Sequence, residues 1–183
     1  FVLTEQADVF DGNFKTEDVR VDAGAGDDTL TGGSLNNTLI GGTGDDFFIV
    51  GYGVDSIDGG SGTDTLSIAE ADDRINLTFD GDGQGYFNDD DGDSGTFSSI
   101  EAIEGSAGND TINAAADTQG VNLSGRQGND TLIGGSGSDT IDGGSGTDVL
   151  TGGSGPDVFI ADGTADTITD FDATTGIDGG SNT

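Results

Sequence analysis

The sequence predicts an all-β fold, a parallel solenoid of short stacked strands. Three observations predict it: a nine-residue repeat, an acidic residue at a fixed phase of that repeat, and an apolar residue two positions later. The pattern is clearest in Gly59-Gly60-Ser61-Gly62-Thr63-Asp64-Thr65-Leu66-Ser67. It returns at Gly41 to Ile49, Gly134 to Asp142, Gly143 to Thr151 and Gly152 to Ile160. Weaker copies occupy Ala23 to Thr31, Val50 to Asp58, Gly105 to Asn113 and Gly125 to Ile133.

The apolar eighth position carries Leu30, Leu39, Phe48, Ile57 and Leu66, then Leu132, Ile141, Leu150, Phe159 and Ile168. A nine-residue step fits neither a helix nor a long strand, but it fits a six-residue turn followed by a three-residue strand. The middle side chain of such a strand faces opposite to its neighbours, so the eighth position points inward and the adjoining Thr or Ser outward. Two units make one coil of eighteen residues, with the strands stacked on two parallel sheets. Glycine supplies turns with positive φ and close backbone approach.

A larger symmetry overlies this one. A shift of 102 residues superimposes Asp8 on Asp110, Phe10 on Ile112, Val21 on Leu123, Asp28 on Asp130 and Leu66 on Ile168. The chain therefore divides into two arrays, 1–68 and 103–170. Between them, 69–102 reads as wider, less regular coils of one solenoid. Arg74 to Phe79 alternates like a strand, and Asp80-Gly81-Asp82-Gly83 and Asp89 to Asp93 read as acidic turns. Residues 171–183 read as an edge or a link to a missing part, and the chain as a fragment of something longer.

Charge states what the fold needs. Asp and Glu number 36 against 4 Lys and Arg, a formal net charge of −32, and glycine numbers 36. So little apolar content and so much repulsion do not offset ordering entropy. Either the chain is disordered, or something positive neutralises it. Nucleic acid and an anionic membrane surface are excluded by sign. No apolar run reaches the length of a membrane span, and no signal-peptide pattern opens the chain. A divalent cation is the natural candidate.

The sixth position is acidic in phase: Asp28, Asp46, Asp55 and Asp64, then Asp130, Asp139, Asp148, Asp157 and Asp166, with Asp110 in the weaker copy. Ca2+ takes six to eight hard oxygens in irregular geometry, which a glycine-rich turn and a carboxylate supply. Stacking sets an equivalent turn eighteen residues on, pairing Asp28 with Asp46, Asp46 with Asp64, Asp130 with Asp148, Asp148 with Asp166, and Asp139 with Asp157. Mg2+ suits such turns less well, and zinc and copper lack His or Cys ligands.

The tandem Gly-Gly-x-Gly-x-Asp-x-apolar-x units resemble the RTX (repeats-in-toxin, haemolysin-type calcium-binding nonapeptide repeat) family. The resemblance implies a right-handed parallel β-roll or β-helix with several Ca2+ ions between stacked turns. Its ligands are the sixth-position aspartates and the loop carbonyls of matching turns. Those turns hold Gly24 and Gly26, Gly42 and Gly44, Gly60 and Gly62, Gly108, Gly128, Gly135 and Gly137, Gly144 and Gly146, and Gly153 and Gly155. The resemblance also implies an extracellular location reached by type I secretion. Some members sit on proteases, lipases, alginate epimerases or adhesins, where the repeats are accessory to the activity.

Departures from the pattern predict unequal sites. Leu35 replaces a glycine and Asn37 the acid, so a site between Asn37 and Asp55 is expected to be weak. Arg126 replaces the second glycine of its turn, weakening that edge of Asp130, and the unit from Ala161 to Thr169 ends the array at Asp166. No catalytic residue is expected, since every regular Asp pair is explained by the repeat. The leading expectation is a calcium-folded structural module of a larger secreted bacterial protein. The alternatives are a calcium-dependent adhesin or filament subunit that associates through solenoid ends, and an accessory module of a polysaccharide-acting enzyme.

Overall fold

The computed structural model describes residues 1–68, 74–160 and 166–170. The segment 171–183, expected as an edge or link, lies outside them, as do 69–73 and 161–165. In chain order the strands are β1 (Val9–Asp11), β2 (Arg20–Ala25), β3 (Thr29–Thr31), β4 (Thr38–Thr43), β5 (Phe47–Ile49), β6 (Val54–Ser61), β7 (Thr65–Ser67), β8 (Ile75–Gly81) and β9 (Gln84–Asp89). They continue as β10 (Ser94–Ser98), β11 (Ala102–Glu104), β12 (Thr111–Asn113), β13 (Asn122–Ser124), β14 (Thr131–Ile133), β15 (Thr140–Asp142), β16 (Val149–Thr151), β17 (Val158–Ile160) and β18 (Thr167–Ile168).

Most strands are three residues long with only the middle one buried, as a six-plus-three unit requires. One sheet runs β1-β3-β5-β7-β11-β13-β15-β17, and each strand in it lies parallel to its neighbours. The other runs β18-β16-β14-β12-β8-β9-β10-β6-β4-β2. The chain is thus an all-β parallel solenoid of about eight turns, with no helix among the described residues. Leu30, Phe48, Leu66, Ile103, Leu123 and Ile141 of the first sheet, and Val21, Leu39, Ile57, Ile112, Leu132 and Leu150 of the second, are all 2% exposed or less. Side chains of this kind line the inner face of each sheet, so the core is a double row one side chain deep from either side.

Of the 69–102 stretch, expected as wider coils, the described residues 74–102 add an antiparallel meander to one sheet. β8 pairs antiparallel with β9 and β9 with β10, while β10 lies parallel to β6 and β8 parallel to β12. On the opposite sheet β7 passes directly to β11. The meander fills its share of the core with aromatic rings, and Phe79 meets Phe97 edge-on at 5.0 Å between centroids.

Register gives the 102-residue symmetry a spatial meaning. Phe10 lies on the eight-stranded sheet and its counterpart Ile112 on the ten-stranded one, whereas Val21 and Leu123 are placed the other way round. The second array is therefore offset by half a coil from the first. Equivalent turns of the two arrays face opposite edges of the roll.

Candidate metal centre

The turns form two columns. On the first edge, where the ten-stranded sheet passes to the eight-stranded one, the residues preceding each strand include Asp28, Asp46, Asp64, Glu101, Val121, Asp139 and Asp157. On the second edge they include Val19, Asn37, Asp110, Asp130, Asp148 and Asp166, with Asp55 in the equivalent place at the start of β6. The predicted pairs are brought together. The Asp28 N–H donates to Asp46 Oδ1 at 2.8 Å and the Asp46 N–H to Asp64 Oδ1 at 2.8 Å. On the second edge Asp130 donates to Asp148 at 2.7 Å and Asp148 to Asp166 at 3.0 Å, and Asp110, which the eighteen-residue spacing does not pair, donates to Asp130 at 2.7 Å. Asp139 donates to Asp157 Oδ1 at 3.1 Å.

Each accepting carboxylate therefore spends one oxygen tying its coil to the previous one. The other oxygen decides whether a cation fits. Oδ2 of Asp28, Asp46, Asp55, Asp64 and Asp130 is buried with no hydrogen-bond partner. A buried carboxylate without a counter-charge costs several kcal/mol even after relaxation. Five such groups together exceed the roughly 5–15 kcal/mol that holds a typical domain folded. These atoms need a positive partner, and a chain without His or Cys offers a cation oxygen ligands.

The glycines explain why the turns must be theirs. Gly42 holds φ at 114°, and a Cβ there would strike the carbonyl oxygen of Gly24 one coil earlier. Gly44 stands in the same relation to Gly26, and the pattern repeats for Gly60 on Gly42, Gly62 on Gly44, Gly128 on Gly108, Gly146 on Gly128, Gly153 on Gly135 and Gly155 on Gly137. Carbonyls of successive turns therefore stack in file beside the carboxylates. The first glycine of a turn is constrained differently, because a Cβ on Gly41 would meet both Asp46 Oδ2 and the Gly59 carbonyl.

Burial shifts the acids upward. Asp55 and Asp64 are pushed to about 6, and Asp130 to about 7, by desolvation first, with neighbouring carboxylates adding to it. Asp28, Asp46, Asp110 and Asp139 are raised for the same leading reason.

The irregular turns close on themselves. Asn37 accepts the Val19 N–H through Oδ1, while its Nδ2 donates to the Leu35 carbonyl. The amide thus makes the inter-coil bond and occupies a loop carbonyl. Asp110 takes the Ser106 N–H on Oδ2 and the Ser106 hydroxyl on Oδ1. The regular turn 134–139 closes in the same way, its Asp139 Oδ2 taking the Gly135 N–H. Arg126 adopts φ 74° in place of glycine, keeps its carbonyl stacked on Gly144, and turns its guanidinium to Glu104.

Three features lie beyond what the repeat predicts. The fifth position forms a second ladder running in the opposite sense: Asp45 and Thr63 donate to Asp27 and Asp45, and Asn129 and Thr147 to Asn109 and Asn129. In-phase Asp or Asn at that position is its signal in the sequence. Asp117, 3% exposed, gathers the N–H groups of Gly83, Gln119 and Gly120. Glu101 stands in the sixth-position column without belonging to a nonapeptide.

Fold and turns together define a metal-binding β-solenoid. A family model described as RTX calcium-binding nonapeptide repeat (4 copies) matches residues 16–39, 31–66, 97–118, 124–159 and 142–169. These segments cover well over half of the chain, which belongs to the RTX calcium-binding nonapeptide-repeat family. It is a calcium-binding repeat module. No curated protein matches it significantly. Among solved structures, the extracellular lipase LipA from Serratia marcescens is similar at 26% identity and a TM-score of 0.43. That match covers 87% of this chain and 32% of the lipase chain, so the present chain spans about a third of that relative. Among the described residues no helix is long and apolar enough to cross a membrane.

Proposed function

We propose that this chain is the calcium-folded structural module of a larger secreted bacterial protein. It folds outside the cell when several Ca2+ ions enter its turn columns. The observation that carries the reading is the file of buried Oδ2 atoms without partners on Asp28, Asp46, Asp55, Asp64 and Asp130. In a low-calcium compartment these carboxylates repel one another, and the net charge of −32 keeps the chain extended. Bound calcium supplies the opposite charge, and its binding free energy becomes folding free energy.

The chain's residues do the rest. The sixth-position aspartates and the stacked loop carbonyls would hold the ions, and the Asp N–H to Oδ1 bonds set the spacing of successive turns. Because each carboxylate touches two coils, folding propagates along a column from neighbour to neighbour. The role is structural rather than catalytic, since the regular acids are committed to the ladders. Circular dichroism in chelator and then in millimolar calcium tests the reading. A chain that is already β-rich in excess chelator at neutral pH sinks it.

A further inference from the structure

The first-edge column does not stop where the nonapeptides stop. After the turn 59–64, the next connection on this edge has only Ser99, Ile100 and Glu101 between β10 and β11. Three residues stand where the regular turn has six. They nevertheless reproduce its inter-coil geometry. Glu101 Oε2 accepts the Asp64 N–H at 2.9 Å, as Asp64 Oδ1 accepts that of Asp46 at 2.8 Å. The carbonyl of Ser99 lies over Gly59 beside Asp64 Oδ2, as the carbonyl of Gly59 lies over Gly41 beside Asp46 Oδ2.

Two details show how a shorter turn manages this. Glu101 carries one more methylene than aspartate, which extends its reach across the missing residues. Ser99 adopts φ 55°, a left-handed conformation uncommon for a residue other than glycine, and this conformation sets the direction of its carbonyl. Asp64 is 0% exposed, and its Oδ2 has no hydrogen-bond partner. A cavity of about 210 Å3 is lined by Gly60, Ser99 and Glu101 together with Asp82 and Asp117.

We propose that Ser99 and Glu101 complete a calcium site with the turn 59–64, outside the nonapeptide pattern. The inference rests on the calcium reading of the regular turns. Its donors are the Asp64 and Glu101 carboxylates and loop carbonyls, a hard and irregular oxygen set that suits Ca2+ better than Mg2+. The steps at 28–46 and 46–64 are then followed by one at 64–101, whose ion ties β7 to β11 where the two arrays meet.

The test is a calcium titration of the full chain by isothermal calorimetry, comparing wild type, Glu101→Gln and Glu104→Gln. Glutamine keeps an oxygen for the Asp64 N–H, so a merely structural role survives the change. Glu104→Gln removes the same charge from the neighbouring strand, away from the column. The expected result is one ion fewer for Glu101→Gln and an unchanged count for Glu104→Gln, with both variants folding in saturating calcium by circular dichroism. Full stoichiometry and affinity in Glu101→Gln overturn the inference, as does its failure to fold in saturating calcium. A wild type that binds no calcium instead overturns the reading of the regular turns.

Discussion

Asp46→Asn isolates what one carboxylate does at the centre of the first-edge column. Asp46 accepts the Asp28 N–H and donates its own N–H to Asp64, so it borders two inter-turn steps. An amide keeps the inter-coil bond, as Asn37 shows with the Val19 N–H, and removes only the charge and the second oxygen. Losing one member of a buried, hydrogen-bonded charge pair costs about 2–5 kcal/mol. Spread over the two flanking ions, that is about 1–2.5 kcal/mol each, or a rise of roughly 5- to 70-fold in the calcium midpoint for folding. Without metal the sign reverses, because a buried uncompensated carboxylate has become a neutral group that can satisfy itself on a loop carbonyl. A calcium titration followed by far-ultraviolet circular dichroism at pH 7.5 reads both effects. The variant should need more calcium to fold, yet keep more residual structure in chelator. An unchanged midpoint, or less residual structure than wild type in chelator, refutes the reasoning.

Other perturbations follow from the same geometry. The folded-state values of about 6 for Asp55 and Asp64 and about 7 for Asp130 lie above the ordinary 3.8, so the metal-free fold binds more protons than the unfolded chain. Its stability therefore falls as pH rises from about 4 through 7, and dichroism in chelator should show most β structure near the acid end of that window. In calcium the order inverts: protons compete for the same oxygens, so the folding midpoint should move to higher calcium as pH drops from 7 to 5. Asn37→Asp together with Leu35→Gly should add one calcium equivalent by calorimetry and lower the structure retained in chelator. An unchanged count would show that the Leu35 carbonyl bond does not govern that turn. Gly42→Ala should cost about 1–2 kcal/mol of backbone strain plus about 1–3 kcal/mol of collision with the Gly24 carbonyl, read as a loss of thermal stability in calcium. Gly92→Ala shares the strain at φ 100° but meets nothing within 4 Å, so it should lose only the smaller part.

The repeat made the strands and the carboxylate columns legible because a strand of three leaves one choice of inward residue. Leu30, Phe48 and Leu132 follow directly from that rule. The offset of 102 residues was visible too, but its meaning needed the stacking: it is not a multiple of eighteen, so it moves Asp28 and Asp130 to opposite edges. The meander was harder to read. Arg74 to Phe79 alternates equally well as a parallel or an antiparallel strand, and only the pairing of β8 with β9 distinguishes them. Glu101 was hidden for a geometric reason: a side chain one methylene longer compensates for three absent residues, and no spacing rule anticipates that. The fifth-position ladder was hidden because it does not depend on charge, since Asn129 serves it as well as Asp45 does.

The central claim is that calcium closes the coils upon one another, and hydrogen exchange at the inter-coil amides tests it most directly. The N–H groups of Asp28, Asp46, Asp110 and Asp130 donate across coils, to Asp46, Asp64, Asp130 and Asp148. At neutral pH they should be strongly protected in millimolar calcium and exchange at nearly unfolded rates in chelator. Equal protection of these amides in both conditions would contradict the account.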